Sequence, residues 1–154
     1  MDRKVKLIDK LIDWTVSVLH IGYIPLGGGS VAALAALILY VMIAKSFLLY
    51  LVITLAVNII GLLLVKKSEE IYNEEDPPRV VIDEVGGMLL AFFLIPATPL
   101  FLISGYIIFR LLDIVKPFPA NYLEHHTGSY GIMLDDIMAG IYTCIILHLI
   151  KLFV

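Results

Sequence analysis

Apolar residues in this chain gather into long runs separated by short polar connections, and the runs carry almost no charge. Residues 1–20 are the exception. There Leu7, Ile8, Leu11, Ile12, Thr15, Val18 and Leu19 recur at helical spacing, while Arg3, Lys4, Lys6, Asp9 and Lys10 fall mostly off that stripe. This predicts an amphipathic N-terminal helix. Such a helix either lies on a membrane surface near Trp14 or packs as an ordinary surface helix on a bundle. It is too charged for the apolar core of a cleavable signal peptide.

Four apolar stretches follow, at 31–44, 47–65, 85–109 and 137–150. The second approaches the ~20 residues of a membrane-spanning helix. The third is interrupted by Ile95-Pro96-Ala97-Thr98-Pro99. Proline removes a backbone donor and disfavours helix in the residue before it. Two short helices, over 85–95 and 99–109, would then form a hairpin. Each is ~15–18 Å long at 1.5 Å per residue, short of a ~30 Å hydrocarbon core. The hairpin matters because a single straight span would put residues 66–84 and 110–136 on opposite sides. The alternative is one kinked span. The favoured architecture is all-α: one domain over 1–154, a compact multi-helix bundle, polytopic or partly re-entrant in a membrane, with its polar loops on one face.

Composition agrees with a membrane setting. The chain has 154 residues, is 60% apolar and has a mean hydropathy of +0.97, whereas soluble domains are ~45–50% apolar. A net charge of −3 argues against a nucleic-acid surface. Cys144 is the one cysteine, so an intrachain disulfide and a cysteine zinc cluster are both excluded. Its expected role is that of a small hydrophobe. Lys66, Lys67, Arg110 and Lys116 sit in or beside the polar connections, which points those loops to the cytoplasmic side.

Two carboxylate pairs stand at the mouths of apolar runs: Asp83-Glu84 before Val85-Gly86-Gly87, and Asp135-Asp136 before Ile137-Met138-Ala139-Gly140. A helix cap explains one acid per helix, not two in both places. The small residues behind each pair permit close helix approach, which would unite the pairs. Asp113 adds a fifth acid between Arg110 and Lys116; on a helix, all three share roughly one face. Many carboxylates with a few cations suit Mg²⁺ and a phosphate ester. His125 and His126 read as surface or auxiliary groups, and His20 and His148 as packing histidines. Gly27-Gly28-Gly29-Ser30 would let backbone amides approach a phosphate, though it lacks the P-loop lysine. Acids at helix mouths equally suit a small ion transporter or channel.

Three stretches, DPPRVVIDEVGG (76–87), FRLLDIVKPFP (109–119) and GSYGIMLDDIMAG (128–140), together resemble the phosphatidylglycerophosphatase A family of bacterial membrane lipid phosphatases. The resemblance runs from about Gly22 to Tyr142. It implies Mg²⁺-dependent removal of the terminal phosphate of phosphatidylglycerophosphate at the bacterial inner (cytoplasmic) membrane, with the active face towards the cytoplasm and membrane lipids as surroundings. Carried over by position, Asp83, Glu84, Asp135, Asp136 and Asp76 are the implied metal ligands. Asp83, Glu84, Asp113, Asp135 and Asp136 are the implied catalytic acids. Arg110 and Lys116, with Gly28, Gly29 and Ser30, are the implied phosphate-binding positions. The family's Pro-Gly-Thr-x-Gly-Ser loop is matched at Pro25, Gly29 and Ser30, but Leu26 and Gly27 replace the first glycine and the threonine.

Overall fold

In the computed structural model, residues 2–154 are described, with the side chains of 6–123 and 127–154. The side chains of Arg3, Lys4, His125 and His126 lie outside the described residues. Seven α-helices occur among them: α1 (Asp2–Val16), α2 (Gly28–Ile43), α3 (Phe47–Tyr72), α4 (Ile82–Ala91), α5 (Pro99–Val115), α6 (Ala120–His126) and α7 (Gly131–Lys151). Single 3₁₀ turns lie at Ile21–Tyr23 and Gly128–Tyr130, and no strand forms among the described residues.

The shortest helix of the apolar runs holds the centre. Helix α4 is apolar nearly all round and buries Val85, Met88, Leu89 and Ala91 together with two glycines, as a helix enclosed on every side must. It packs on α7, α2 and α3. Gly87 and Gly140 make the α4–α7 contact possible. A Cβ on Gly140 would stand 2.3 Å from the Gly87 carbonyl oxygen, and one on Gly87 would stand 2.4 Å from that of Asp136. Only hydrogen fits at such a crossing.

The break at 92–98 is real, and it makes the hairpin. Helix α4 stops at Ala91, earlier than the expected 95, and α5 starts with Pro99 at its first position and runs on to Val115. Ending a helix inside a bundle strands its last carbonyls. Here the Tyr50 hydroxyl donates to Leu89 O of α4 at 2.8 Å, and in the turn beyond it the Tyr40 hydroxyl donates to Ile95 O and Lys151 Nζ donates to Leu94 O at 3.1 Å. Ten residues make α4 ~15 Å long, too short to cross a ~30 Å hydrocarbon core.

Helix α3 and the segment Gly128–Lys151 are long and apolar enough to cross a membrane. Their outward faces are apolar too. Val52, Leu55, Ile59 and Leu63 on α3, Ile103, Ile107 and Leu111 on α5, and Ile141, Ile145 and Leu149 on α7 are exposed at helical spacing. A belt of this size is unstable in water and suits lipid. Helix α1 packs on α3 through Ile12 and Val16, while Leu7, Ile8, Leu11 and Trp14 stay exposed. The expected apolar stripe is thus only partly buried against protein.

Candidate active site

Because α4 and α5 form a hairpin, the start of α4, the end of α5, the start of α7 and the start of α2 meet at one end of the bundle. They enclose a cavity of about 720 Å³ lined by Asp83, Glu84, Arg110, Asp113, Lys116, Asp135 and Asp136, with Gly28, Gly29 and Asp76 also on its wall. Ser30 is not among the lining residues; its carbonyl accepts a 3.1 Å hydrogen bond from the Tyr106 hydroxyl.

Neither acid pair caps its helix. Asp83 and Glu84 lie in the first turn of α4, whose N-cap is Val81, and Asp135 and Asp136 lie inside α7, whose N-cap is Tyr130. No side chain caps either end. Within each pair the first acid turns back locally. Asp83 Oδ1 accepts from the Glu84 amide at 3.0 Å, and Asp135 Oδ1 accepts from the Asp136 amide at 2.9 Å.

The two pairs divide in geometry. Asp83, Glu84 and Asp136 bring one carboxylate oxygen each to within 4.8 Å of one another. Asp135 points to a cation instead, with its Oδ2 2.6 Å from Lys116 Nζ. Lys116 reaches it because α5 ends there and Lys116 takes a left-handed backbone, φ 47. Such a conformation is costly for a residue with a Cβ and recurs at functional sites. Arg110 pairs with Asp113 one turn on, Nη1 to Oδ2 at 2.6 Å, and lies 3.9 Å from Glu84 Oε1. Arg110 and Asp113 therefore share a helix face as expected, while Lys116 leaves it for α7. Asp76, with φ 48, sits on the loop before α4 and outside the three-carboxylate group; its amide donates to Glu69 Oε1 at 3.4 Å.

The glycine loop packs closely against the acid cluster. A Cβ on Gly29 would stand 1.9 Å from Glu84 Oε1 and 3.4 Å from Arg110 Nη1. Gly29 makes room for the acid cluster.

Electrostatics leave the cavity short of positive charge. Six carboxylates (Asp76, Asp83, Glu84, Asp113, Asp135, Asp136) meet three cations (Arg79, Arg110, Lys116), an excess of three negative charges when all are ionised. Burial, then the adjacent Glu84 charge, pushes the Asp83 carboxyl well above the usual carboxylate range. Burial raises Glu84 as well. Glu84 Oε2 and Asp136 Oδ2 are buried and without a hydrogen-bond partner among the described residues. Orphaned buried oxygens in an all-oxygen donor set fit a hard divalent cation, which would satisfy them and offset the charge.

Some neighbours carried no visible signal. Arg79 and Tyr23 also line the cavity. Arg79 stands inside the 76–87 motif as an ordinary loop arginine. Asn58 is buried on α3, where its side-chain nitrogen donates to Thr54 O at 2.9 Å and Gly86 O at 3.3 Å. An amide alone within an apolar run was a readable sign of an inward face.

The chain is 33% identical over 135 residues to a Bacteroides thetaiotaomicron protein named "Putative phosphatidylinositol-3-phosphatase", covering 82% of this chain and 84% of that one. It is 31% identical over 132 residues to phosphatidylglycerophosphatase A of Escherichia coli, covering 84% and 77%. With the Haemophilus influenzae protein of the same name, identity is 30% over 105 residues, covering 67% and 64%. No solved structure matches the chain. The family model for phosphatidylglycerophosphatase A matches residues 14–151, nearly the whole chain and every acid of the cavity, and the protein is a member of that family of bacterial membrane enzymes rather than an ion transporter.

Proposed function

We propose that this protein removes the terminal phosphate of phosphatidylglycerophosphate, releasing phosphatidylglycerol and inorganic phosphate, with Mg²⁺ held by Asp83, Glu84 and Asp136. The observation that carries the reading is the meeting of those three carboxylates with Arg110 and Lys116 in one cavity. Bound there, Mg²⁺ would polarise the phosphoryl oxygen and lower the pKa of an attacking water. Arg110 and Lys116 bind the phosphate oxygens, where developing charge is greatest in the transition state. Asp113 and Asp135 each grip one of these cations and hold it at the cavity wall. A carboxylate of the cluster accepts the proton of the water. The lipid tails leave along the apolar belt.

The site end faces the cytoplasm and the membrane is the inner one. Lys66, Lys67, Arg79, Arg110 and Lys116 lie on or beside its connections, against Lys45 and Lys151 at the opposite end, and basic loops favour the cytoplasmic side. Phosphate release by the detergent-purified protein from phosphatidylglycerophosphate, with Mg²⁺ and with chelator, tests the reaction. Absence of Mg²⁺-dependent release refutes it. Phosphatidylinositol 3-phosphate belongs in the same assay, because the relative from Bacteroides thetaiotaomicron is named for that lipid. A preference for it would move the substrate while keeping the chemistry.

A further inference from the structure

The cavity has a second cationic wall that the reaction above leaves unused. Arg79 lines it from the loop before α4. Its guanidinium carbon lies 5.7 Å from the centre of the Tyr23 ring and 5.4 Å from that of Tyr72, a cation–π arrangement on two faces. Asp13 fixes both rings, accepting hydrogen bonds from the Tyr23 hydroxyl at 2.8 Å and from the Tyr72 hydroxyl. The backbone is locked as well. A Cβ on Gly22 would stand 2.0 Å from the Arg79 carbonyl oxygen, and the Val81 amide donates to Val16 O at 2.9 Å. Among the described residues, the side chain's ion pair is a long one, 3.9 Å to half-exposed Glu74, and it makes no hydrogen bond. A planar fork of donors at a cavity wall, packed on two rings and 43% exposed to an incoming ligand, is what recognises a phosphate.

Its position sets it apart from the reacting cluster. A Cβ on Gly22 would meet the Arg79 main chain, one on Gly28 the Gly22 main chain, and one on Gly29 the Glu84 and Arg110 side chains. The glycine strip therefore lies between the Arg79 main chain and the Arg110 side chain.

We infer that Arg79 is a second anion subsite. It binds the bridging phosphodiester of a lipid whose terminal phosphomonoester sits at Arg110 and Lys116. This rests on the substrate reading above and sharpens it, because the protein then selects lipids with two phosphates joined by glycerol over lipids with one.

Phosphatidylglycerol is a probe that keeps the diester and has no monoester to lose, so its binding is measurable with Mg²⁺ present. Binding to the full-length protein in mixed micelles is compared for wild type, Arg79→Gln and Arg79→Lys, with inorganic phosphate as a second probe. Arg79→Gln should weaken phosphatidylglycerol binding about 10- to 100-fold, with inorganic phosphate changed less than about twofold, and Arg79→Lys should recover part of the loss. In turnover, the KM for phosphatidylglycerophosphate should rise by a similar factor, and that for phosphatidic acid should not. Unchanged phosphatidylglycerol binding, or equal loss for both probes, overturns the subsite. Failure of every variant and the wild type to release phosphate strikes the reaction instead, and the phosphatidylglycerol comparison still decides Arg79.

Discussion

Gly140→Ala tests whether the site is built by the α4–α7 crossing. The added Cβ would lie 2.3 Å from a backbone oxygen, where an ordinary contact begins at 3.4 Å. The obstacle is main chain, so no side chain can swing aside and the helices must part by roughly 1 Å. Asp83 and Glu84 ride on one helix and Asp136 on the other, so their convergence opens by a similar amount. Overpacking of this kind costs about 1–3 kcal/mol, which lowers Tm by roughly 3–10 °C for a chain of this size. A misplacement of ~1 Å at reacting groups costs ~100-fold in rate. Phosphate release and a thermal melt, both in the same detergent, read the two effects. Ile141→Ala is the control, since Ile141 is 40% exposed on the outer face; it should change stability by less than ~0.5 kcal/mol. A Gly140→Ala protein with wild-type turnover and wild-type Tm would refute the account of how the site is assembled.

Asp83→Asn and Asp136→Asn should each lower Mg²⁺-dependent turnover at least ~100-fold, yet raise Tm in chelator, because each removes one charge from a buried acidic group; loss of both activity and Tm would mark a merely structural role. The raised carboxyls of Asp83 and Glu84 fix the sign of the pH response. Their folded pKa values exceed the unfolded ones, so the stability these two groups contribute to the metal-free protein is fully present at low pH and is lost as pH rises from the ordinary carboxylate range through the raised values. Melts in chelator should show that fall, and added Mg²⁺ should reverse it at neutral pH; a chelator profile that rises with pH would contradict the burial argument. Lys116→Ala leaves the nearly enclosed Asp135 without its cation, at a cost of about 3–5 kcal/mol. Adding Asp135→Asn should restore Tm without restoring turnover, and failure of the double variant to regain Tm would show the pair is not what stabilises that corner.

Much was readable before any coordinates. Runs of apolar residues fixed the helical class, since backbone groups in lipid must be satisfied within the segment. Pro96 and Pro99 marked the turn, because proline cannot continue the helix. Gly86-Gly87 and Ala139-Gly140 marked the close crossing, because only small side chains permit it. What tertiary structure decided is how the acids divide. Asp83 and Glu84 are one residue apart in sequence, as are Asp135 and Asp136, and nothing local says that Asp136 joins the first pair while Asp135 turns to Lys116. That follows from how α7 lies against α4, which long-range packing sets, and from the left-handed C-cap of α5 at Lys116, whose amide donates to Leu112 O at 2.8 Å. Gly29 read as a place where backbone amides approach a phosphate, and the fold adds that its missing side chain leaves room for Glu84. Sequence alone determined which chemistry was present and which end of each helix carried it. The fold decided which oxygens face one another, because distances of a few ångströms arise only where separate helices cross.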